Sequence, residues 1–355
     1  MIFINCIIMN KIQINTILLI FLSNFLYSQD EYQKFHTVAF YNVENLFDTI
    51  NDIKKNDEAS PIMEIEKGRS DIYFRKLKNL SKVISEIGYS LTNSFPSIVG
   101  LSEVENKTVV EDLINTGKLK NGNYGISHFD SPDDRGIDVA LIYRKEFFKV
   151  LNEKNHRLIL NDETSGEVIF TRDQLVVDGL LEGERYFLII NHWPSRYGGE
   201  LKSRPLRNKA AQLNIEIIDS LNSIHNNPKI ITMGDFNDDP KNESIKNILN
   251  AKNYKLNLNS QELYNPFENM HKEGVGTLVY RGNWNLFDQI IISESLLNNK
   301  SKEFSYYNSF IYKEKYLINQ DGNYKGYPFR SFAGGRYLDG YSDHLPVYIL
   351  LLKEK

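Results

Sequence analysis

The sequence predicts an α+β fold: two packed mixed β-sheets flanked by helices, in a four-layer sandwich. Nearly continuous apolar runs at residues 138–143 and 186–190 read as strands buried on both faces. Few helical stripes separate the strand-like runs, which argues against a simple βαβ ladder and for two sheets with helices outside. Several of these runs also end in a carboxylate, an amide or an imidazole, as strands do when they deliver side chains to one edge.

The first 28 residues stand apart. Lys11 is their only charged residue, and an apolar stretch at 17–26 ends in Tyr27-Ser28-Gln29. That pattern reads as a secretory signal peptide cleaved near Ser28 or Gln29, which leaves 29–355 as one domain. An uncleaved membrane anchor is the alternative, but Asn15, Ser23 and Asn24 interrupt a run already short for a span. Cys6, the only cysteine, lies in this segment. The mature chain is therefore expected to have no thiol for a disulfide, a nucleophile or a cysteine zinc site. Loss of Lys11 moves the formal charge from −4 to −5. Net charge thus does not attract nucleic acid, and a phosphate ester would need a local metal ion and a few arginines.

Two stripes mark helices. Phe74, Leu77, Leu80, Ile84 and Ile87 predict an amphipathic helix over 71–86. Ser203-Arg204-Pro205 reads as a helix start with proline in the first turn, followed by Leu206, Ala210, Leu213, Ile217, Leu221 and Ile224. Three polar stretches, 48–69, 115–135 and 313–342, read as loops. The last is rich in Tyr and Gly, carries Arg330 and Arg336, and runs into Asp343-His344. It is expected to be a lid or substrate wall beside the site.

The strand ends carry the chemistry. Runs lead from Val38 to Asn42, from Ser97 to Glu103, from Phe187 to Asn191 and His192, and from Ile230 to Asp235 and Asn237; Asp288 and Asp343-His344 open two more. Gly234 permits a tight exit, after which Asp235 points a carboxylate into the cleft; Asn237 shares that side if the chain stays extended. Such a pair can orient or deprotonate a water and donate to an oxyanion. Adjacent strand residues face opposite ways, so Asp288 rather than Asp343 is expected to hold His344 and fix its tautomer. Glu103 offers the carboxylate oxygen that a hard divalent cation prefers, while Glu105 reads as a solvated loop charge. Zinc is not expected, because the mature chain is expected to carry no cysteine and there is no histidine pair at helical ligand spacing.

Taken together, Phe40-Tyr41-Asn42-Val43-Glu44-Asn45, Leu101-Ser102-Glu103-Val104, Asn191-His192-Trp193, Gly234-Asp235-Phe236-Asn237, Phe287-Asp288-Gln289 and Ser342-Asp343-His344-Leu345-Pro346 resemble the endonuclease/exonuclease/phosphatase superfamily. Its members include pancreatic-type deoxyribonuclease, abasic-site endonucleases, neutral sphingomyelinases and inositol phosphatases. The motifs fall in the family's order across residues 38–348. The resemblance implies Mg²⁺ or Mn²⁺ held by Glu103, with Asn42 and Asp343 as further metal-site candidates. It also implies acid–base catalysis by His192, Asp235, Asn237, Asp288 and His344. Arg135, with Asp138 as its partner, and Asn191, Trp193 and Arg196 are candidates for substrate binding. His192 matches a histidine that deoxyribonuclease and sphingomyelinase members carry and abasic-site endonucleases lack. Three readings follow. The first is an exported nuclease on DNA or RNA, with Trp193, Trp284, Tyr280 and Arg281 stacking on bases or gripping the backbone. The second is a phosphatase or phospholipase-like enzyme on small esters or lipid headgroups, and the third a non-catalytic binding module.

Overall fold

Alternation along the first strand sorts its side chains into two cores: Val38 and Phe40 face one way, Ala39 and Tyr41 the other. The computed structural model describes residues 33–162, 165–259, 261–297 and 302–354, so the predicted signal peptide lies outside the described residues. The main strands are, in chain order, β1 (Lys34–Leu46), β2 (Ile98–Val104), β3 (Tyr124–His128), β4 (Asp138–Arg144), β5 (Phe148–His156), β6 (Gln174–Leu181) and β7 (Glu184–His192). They continue with β8 (Lys229–Asp235), β9 (Ala251–Lys252), β10 (Leu263–Tyr264), β11 (Asp288–Ser293), β12 (Ser305–Ile311) and β13 (Val347–Lys353).

One sheet has six strands in the order β12-β13-β1-β2-β4-β3, the other seven in the order β9-β10-β11-β8-β7-β6-β5. Both are mixed. β1 runs parallel to β2 and antiparallel to β13, while β8 runs parallel to β7 and antiparallel to β11. Between the sheets pack Val38, Phe40 and Leu141 from one side and Ile190, Met233 and Ile290 from the other. Helices α1 (Arg69–Glu86) and α2 (Lys107–Ile114) cover the outer face of the first sheet through Leu77, Leu80, Ile84 and Val110. Helix α3 (Glu200–Ile224) covers the second sheet through Ala210, Ile217 and Ile218. The result is the four-layer α+β sandwich. Among the described residues no helix is long and apolar enough to cross a membrane.

Two expectations need correcting. The stretch 115–135 is not all loop, because Tyr124–His128 forms the edge strand β3 against β4. Five residues between glycine- and asparagine-rich flanks are too few to show a period. Helix α3 starts at Glu200, one turn earlier than expected, so Pro205 lies inside it and Ile224 ends the stripe exposed. Proline there forgoes the N–H bond to the Leu201 carbonyl, since the helical ladder has already begun at Ser203, whose N–H donates to the Gly199 carbonyl at 3.1 Å.

Two glycines sit where sheets and strands leave no room for a side chain. A Cβ on Gly100 would meet Phe40 at 3.0 Å and Met233 at 3.2 Å, and one on Gly234 would lie 2.4 Å from the Asn191 carbonyl oxygen. Gly234→Ala must therefore push β8 off β7. It is expected to cost about 1–3 kcal/mol, measured as a lower urea midpoint at constant slope. An unchanged midpoint would mean that these strands part at no cost.

Candidate active site

Register brings the strand-end residues into one row. Across the second sheet Asp235 of β8 lies opposite His192 of β7 on one side and Asp288 of β11 on the other. Lateral partners in a sheet share a face, so the three side chains point the same way. From the first sheet, Asn42 lies opposite Ser102, and the ladder slips one residue later, between Ser102 and Val104. Glu103 sits in that slip with φ +63°, and Glu44, Asn45 and Asn237 also have left-handed backbone. At these strand ends the pleat is abandoned, which re-aims side chains toward the gap between the sheets.

Asp235 is the centre. It is buried; its Oδ1 accepts from the backbone N–H of Asn237 at 2.9 Å and its Oδ2 from the Asn42 amide at 3.0 Å. Around that same Oδ2 stand Nε2 of His192 at 3.8 Å and Nε2 of His344 at 3.9 Å. His344 donates through Nδ1 to Asp288 at 2.7 Å. The Asn42 amide also donates to Glu103 at 3.0 Å, and Glu103 accepts from the N–H of Asn45 at 2.9 Å. Ser342 ties the last strand to the first by donating to the Asn42 carbonyl at 2.7 Å.

The environment pushes the titrating groups apart. Burial lifts the Asp235 carboxyl to about 7; Asp288 and Glu103 add to this and His344 opposes it. Burial is also the largest single influence on His344 and acts to lower it, yet Asp288 and Asp235 outweigh it and hold the imidazole well above its ordinary range. His192 is held well below that range by burial, then by Arg172, Arg135 and His344. Two imidazoles on one carboxylate thus stand in opposite protonation states near neutrality.

A divalent ion fits this donor set. Glu103, Asp235 and His192 each offer an atom within 4.8 Å of the others, and Nδ1 of His192 is buried without a partner. Oxygen-rich and thiol-free, the set suits a hard cation.

Several sequence-predicted residues are placed elsewhere. Asn42 turns its NH₂ toward the carboxylates, and its Oδ1 accepts from the N–H of Glu44 at 2.9 Å, so it positions the carboxylates. Asp343 is paired with Arg330 at 3.1 Å. Asn237 is not in extended backbone; its side-chain amide donates to the Trp193 carbonyl at 3.0 Å. Asn191 is fully buried among Thr232, Met233 and Asn214, and Trp193 is buried edge-on against Phe236, so neither can reach substrate. Arg196 is consumed by the Asn237 carbonyl, Asp238, Asp239 and Asn242. Arg135 pairs with Asp133; Asp138 is instead held by His128 and Ser131. Trp284 packs against the first sheet's outer core under Lys313. Glu105 is buried, not solvated, and accepts from the N–H of Asp48 at 2.7 Å.

Other residues matter that strand-end reasoning missed. Buried Arg172 grips the carbonyls of His192 and Trp193 and the Asp133 carboxylate, and nothing in its sequence context marks it. The 313–342 segment does wall the site: Arg330 bridges Glu44 at 3.2 Å and Asp343 at 3.1 Å, while the N–H of Ser331 donates to Glu44.

A model of the Endonuclease/Exonuclease/phosphatase family matches residues 37–353. The chain belongs to that family. With it, the chain is a phosphoester hydrolase that works with a divalent metal, and the reading as a non-catalytic binding module is set aside. No curated protein sequence matches the chain significantly. Among solved structures it is similar to an endonuclease/exonuclease/phosphatase from Bacteroides vulgatus (13% identity, 91% of this chain and 100% of that one, TM-score 0.53). It is also similar to a mannosyl-6-phosphatase from Bacteroides thetaiotaomicron (15%, 89% and 99%, TM-score 0.51). A third is TDP2 from D. rerio complexed with a single-strand DNA product (16%, 89% and 98%, TM-score 0.50). These likenesses are of fold.

In metal-free protein, NMR titration of the imidazoles should find His344 well above the usual 6.5 and His192 well below it. Asp288→Asn removes the carboxylate that favours the imidazolium and should bring His344 down. A His344 that titrates below 6.5 in the parent protein would contradict the arrangement.

Proposed function

We propose that this protein is an exported phosphodiesterase that hydrolyses DNA or RNA with Mg²⁺ or Mn²⁺, water attacking phosphorus in line. The observation that carries it is the single carboxylate, Asp235, with the Nε2 atoms of two imidazoles, His192 and His344, at 3.8 and 3.9 Å and Glu103 beside it. Glu103 would hold the metal, within reach of the Asp235 carboxylate and the His192 imidazole, which stay free for proton transfer. When bound, the ion neutralises charge on the phosphate and leaving oxygen.

The chain's own groups do the rest. Asp235, lifted to about 7, is basic enough to take a proton from water and is fixed through both oxygens, so its free lone pairs point one way. His344, protonated and locked by Asp288, presents Nε2–H toward a phosphoryl or leaving oxygen and returns a proton there. His192 stays neutral and offers Nε2 as donor or acceptor on the opposite side. Arg172 holds its backbone. Asn42 keeps the two carboxylates together against their mutual repulsion. Export rests on the apolar 17–26 stretch and the mature chain's lack of thiols. The nucleic-acid assignment is supported by the exposed Tyr197 in the loop that follows His192, and by the DNA product bound to the similar TDP2 structure.

A second reading has its own observation. Beside Asp343, a cavity of about 340 Å³ is walled by Leu278, Tyr324, Tyr327, Leu338 and Arg330. It is the size of a sugar ring or small headgroup, which favours a phosphatase on a small phosphate ester.

Hydrolysis of plasmid DNA, RNA, bis-p-nitrophenyl phosphate and p-nitrophenyl phosphate, with Mg²⁺, Mn²⁺ or EDTA, separates the two. EDTA-sensitive cleavage of plasmid or RNA is the expected result; release from the monoester alone, with nucleic acid intact, would sink the nuclease reading. Asp235→Ala or His344→Ala should each cut the rate by roughly 10²-fold or more. Near-full activity in either variant at saturating metal would remove that residue from the mechanism.

A further inference from the structure

The hairpin that precedes β11 carries an arginine where its backbone asks for another residue. Residues Leu278–Tyr280 and Asn283–Asn285 pair antiparallel, and Arg281-Gly282 joins them with φ +48° and +83°. Two positive φ values in a two-residue link make the tight hairpin turn that asparagine and glycine favour. Arg281 meets that demand poorly, and an outlier of this kind at the rim of a site points to a use for its side chain. No local acid takes that use up. The guanidinium lies over the Tyr280 ring, 5.2 Å from its centroid, and among the described residues no carboxylate pairs with it.

The tip of this hairpin is one wall of the 340 Å³ cavity beside Asp343. A Cβ on Gly282 would lie 3.8 Å from the Tyr327 hydroxyl, so the tip and the 319–330 stretch meet at the cavity. That second wall is built: the Asn319 amide donates to the carbonyls of Tyr327 and Pro328 at 3.2 and 3.0 Å, and Ile318 bridges to Pro328. The base of the hairpin is tied to the catalytic row. Thr277 accepts through its hydroxyl from the N–H of Asp288 at 3.4 Å and through its carbonyl from the N–H of Leu345 at 2.8 Å. The cavity therefore lies next to the Asp288–His344 pair. Of its two cations, Arg330 is held by Glu44 and Asp343, which leaves Arg281 for a ligand. Tyr324, Tyr327 and Leu278 line it as well, and Tyr324 is 67% exposed.

We propose that this cavity receives the leaving-group side of the substrate, and that Arg281 there binds a second phosphate carried by the leaving group's ring. The recognised chemistry is a ring, base or sugar, bearing an anion besides the scissile phosphate. A nucleic-acid strand offers it as the next nucleotide, and a sugar bisphosphate offers it as a free molecule. Aromatic and aliphatic walls suit the ring, and an arginine without an acid suits the phosphate. The assignment rests on the reading of His344 as proton donor to the leaving oxygen. In-line attack puts water and leaving group on opposite sides of phosphorus, so the group that departs does so on the His344 side, where the cavity is.

Paired substrates at saturating Mg²⁺ test it. One pair is a thymidine dinucleotide with and without phosphates on both ends, followed at its internucleotide bond; the other is glucose 1,6-bisphosphate and glucose 6-phosphate. The readout is the ratio of kcat/KM within a pair, from which any general loss of activity cancels. The parent protein should favour the more highly phosphorylated member of the pair it cleaves by roughly tenfold or more. Arg281→Asn, which suits the turn and removes the cation, should bring the ratio close to one while the thermal midpoint holds or rises. Arg281→Lys should keep most of the preference. A preference within the dinucleotides assigns the ring to a nucleotide. A preference within the sugars, with the dinucleotides intact, retires the nuclease reading and leaves the role of Arg281 standing. A parent ratio close to one, or a ratio unchanged in Arg281→Asn, would overturn the proposal. So would two intact pairs under conditions that hydrolyse the p-nitrophenyl esters.

Discussion

The amide of Asn42 holds two carboxylates from different sheets in place, and the site depends on that contact. Glu103 comes from the sheet that contains β1 and Asp235 from the other, and each accepts from the same NH₂ group at 3.0 Å. Without a donor between them the two acids would repel across a buried gap, and the sheets would have reason to splay where the site needs them closed. The bond is set by the sandwich itself, since Asn42 is at the end of a strand whose preceding residues, Val38 and Phe40, are packed between the sheets. Core packing and site geometry are therefore one constraint. The apolar interface fixes the spacing, and Asn42 turns that spacing into an arrangement of charges.

Burial then makes those charges chemically distinct. Asp235, His192 and His344 occupy a few ångströms of the same environment, yet one imidazole is driven toward the neutral form and the other toward the cation. The difference lies in their partners. His344 has Asp288 on Nδ1, whereas His192 has no partner on Nδ1 and has Arg172 holding its backbone carbonyl. A proton donor and a neutral imidazole can thus coexist without separation by distance.

Much of this was legible in the sequence because strand ends and alternation are local. Asp288 as the partner of His344 followed from the rule that neighbours on a strand face opposite ways, and the row at Asp235 followed from where the apolar runs stop. The same rule explains the misjudged residues. Asn191 and His192 are adjacent on β7, so only one can face the gap, and the other must satisfy its amide on the α3 side with Thr232 and Asn214. Trp193 then returns to that outer core. Arg196, Arg135 and Glu105 were misjudged for another reason. Their partners, residues 237–242, Asp133 and Asp48, are fixed by loop paths, which leave no period in the sequence. The short edge strand β3 escaped notice because five residues carry too little pattern.

The strand ends at the site share one more property: Glu44, Asn45, Glu103 and Asn237 all sit in left-handed backbone without being glycine. At such a position the backbone favours glycine, with asparagine the best tolerated of the others, while the chemistry demands a carboxylate or an amide. The two demands intersect in very few amino acids. Glycine at 103 would relax the turn and abolish the ligand, and glutamine would keep the shape and abolish the charge. The 313–342 segment answers to a looser demand, moored to the site through the bonds of Arg330 to Glu44 and Asp343 and of the Ser331 N–H to Glu44. Backbone and chemistry together fix the strand ends, whereas the wall around them is fixed at its moorings.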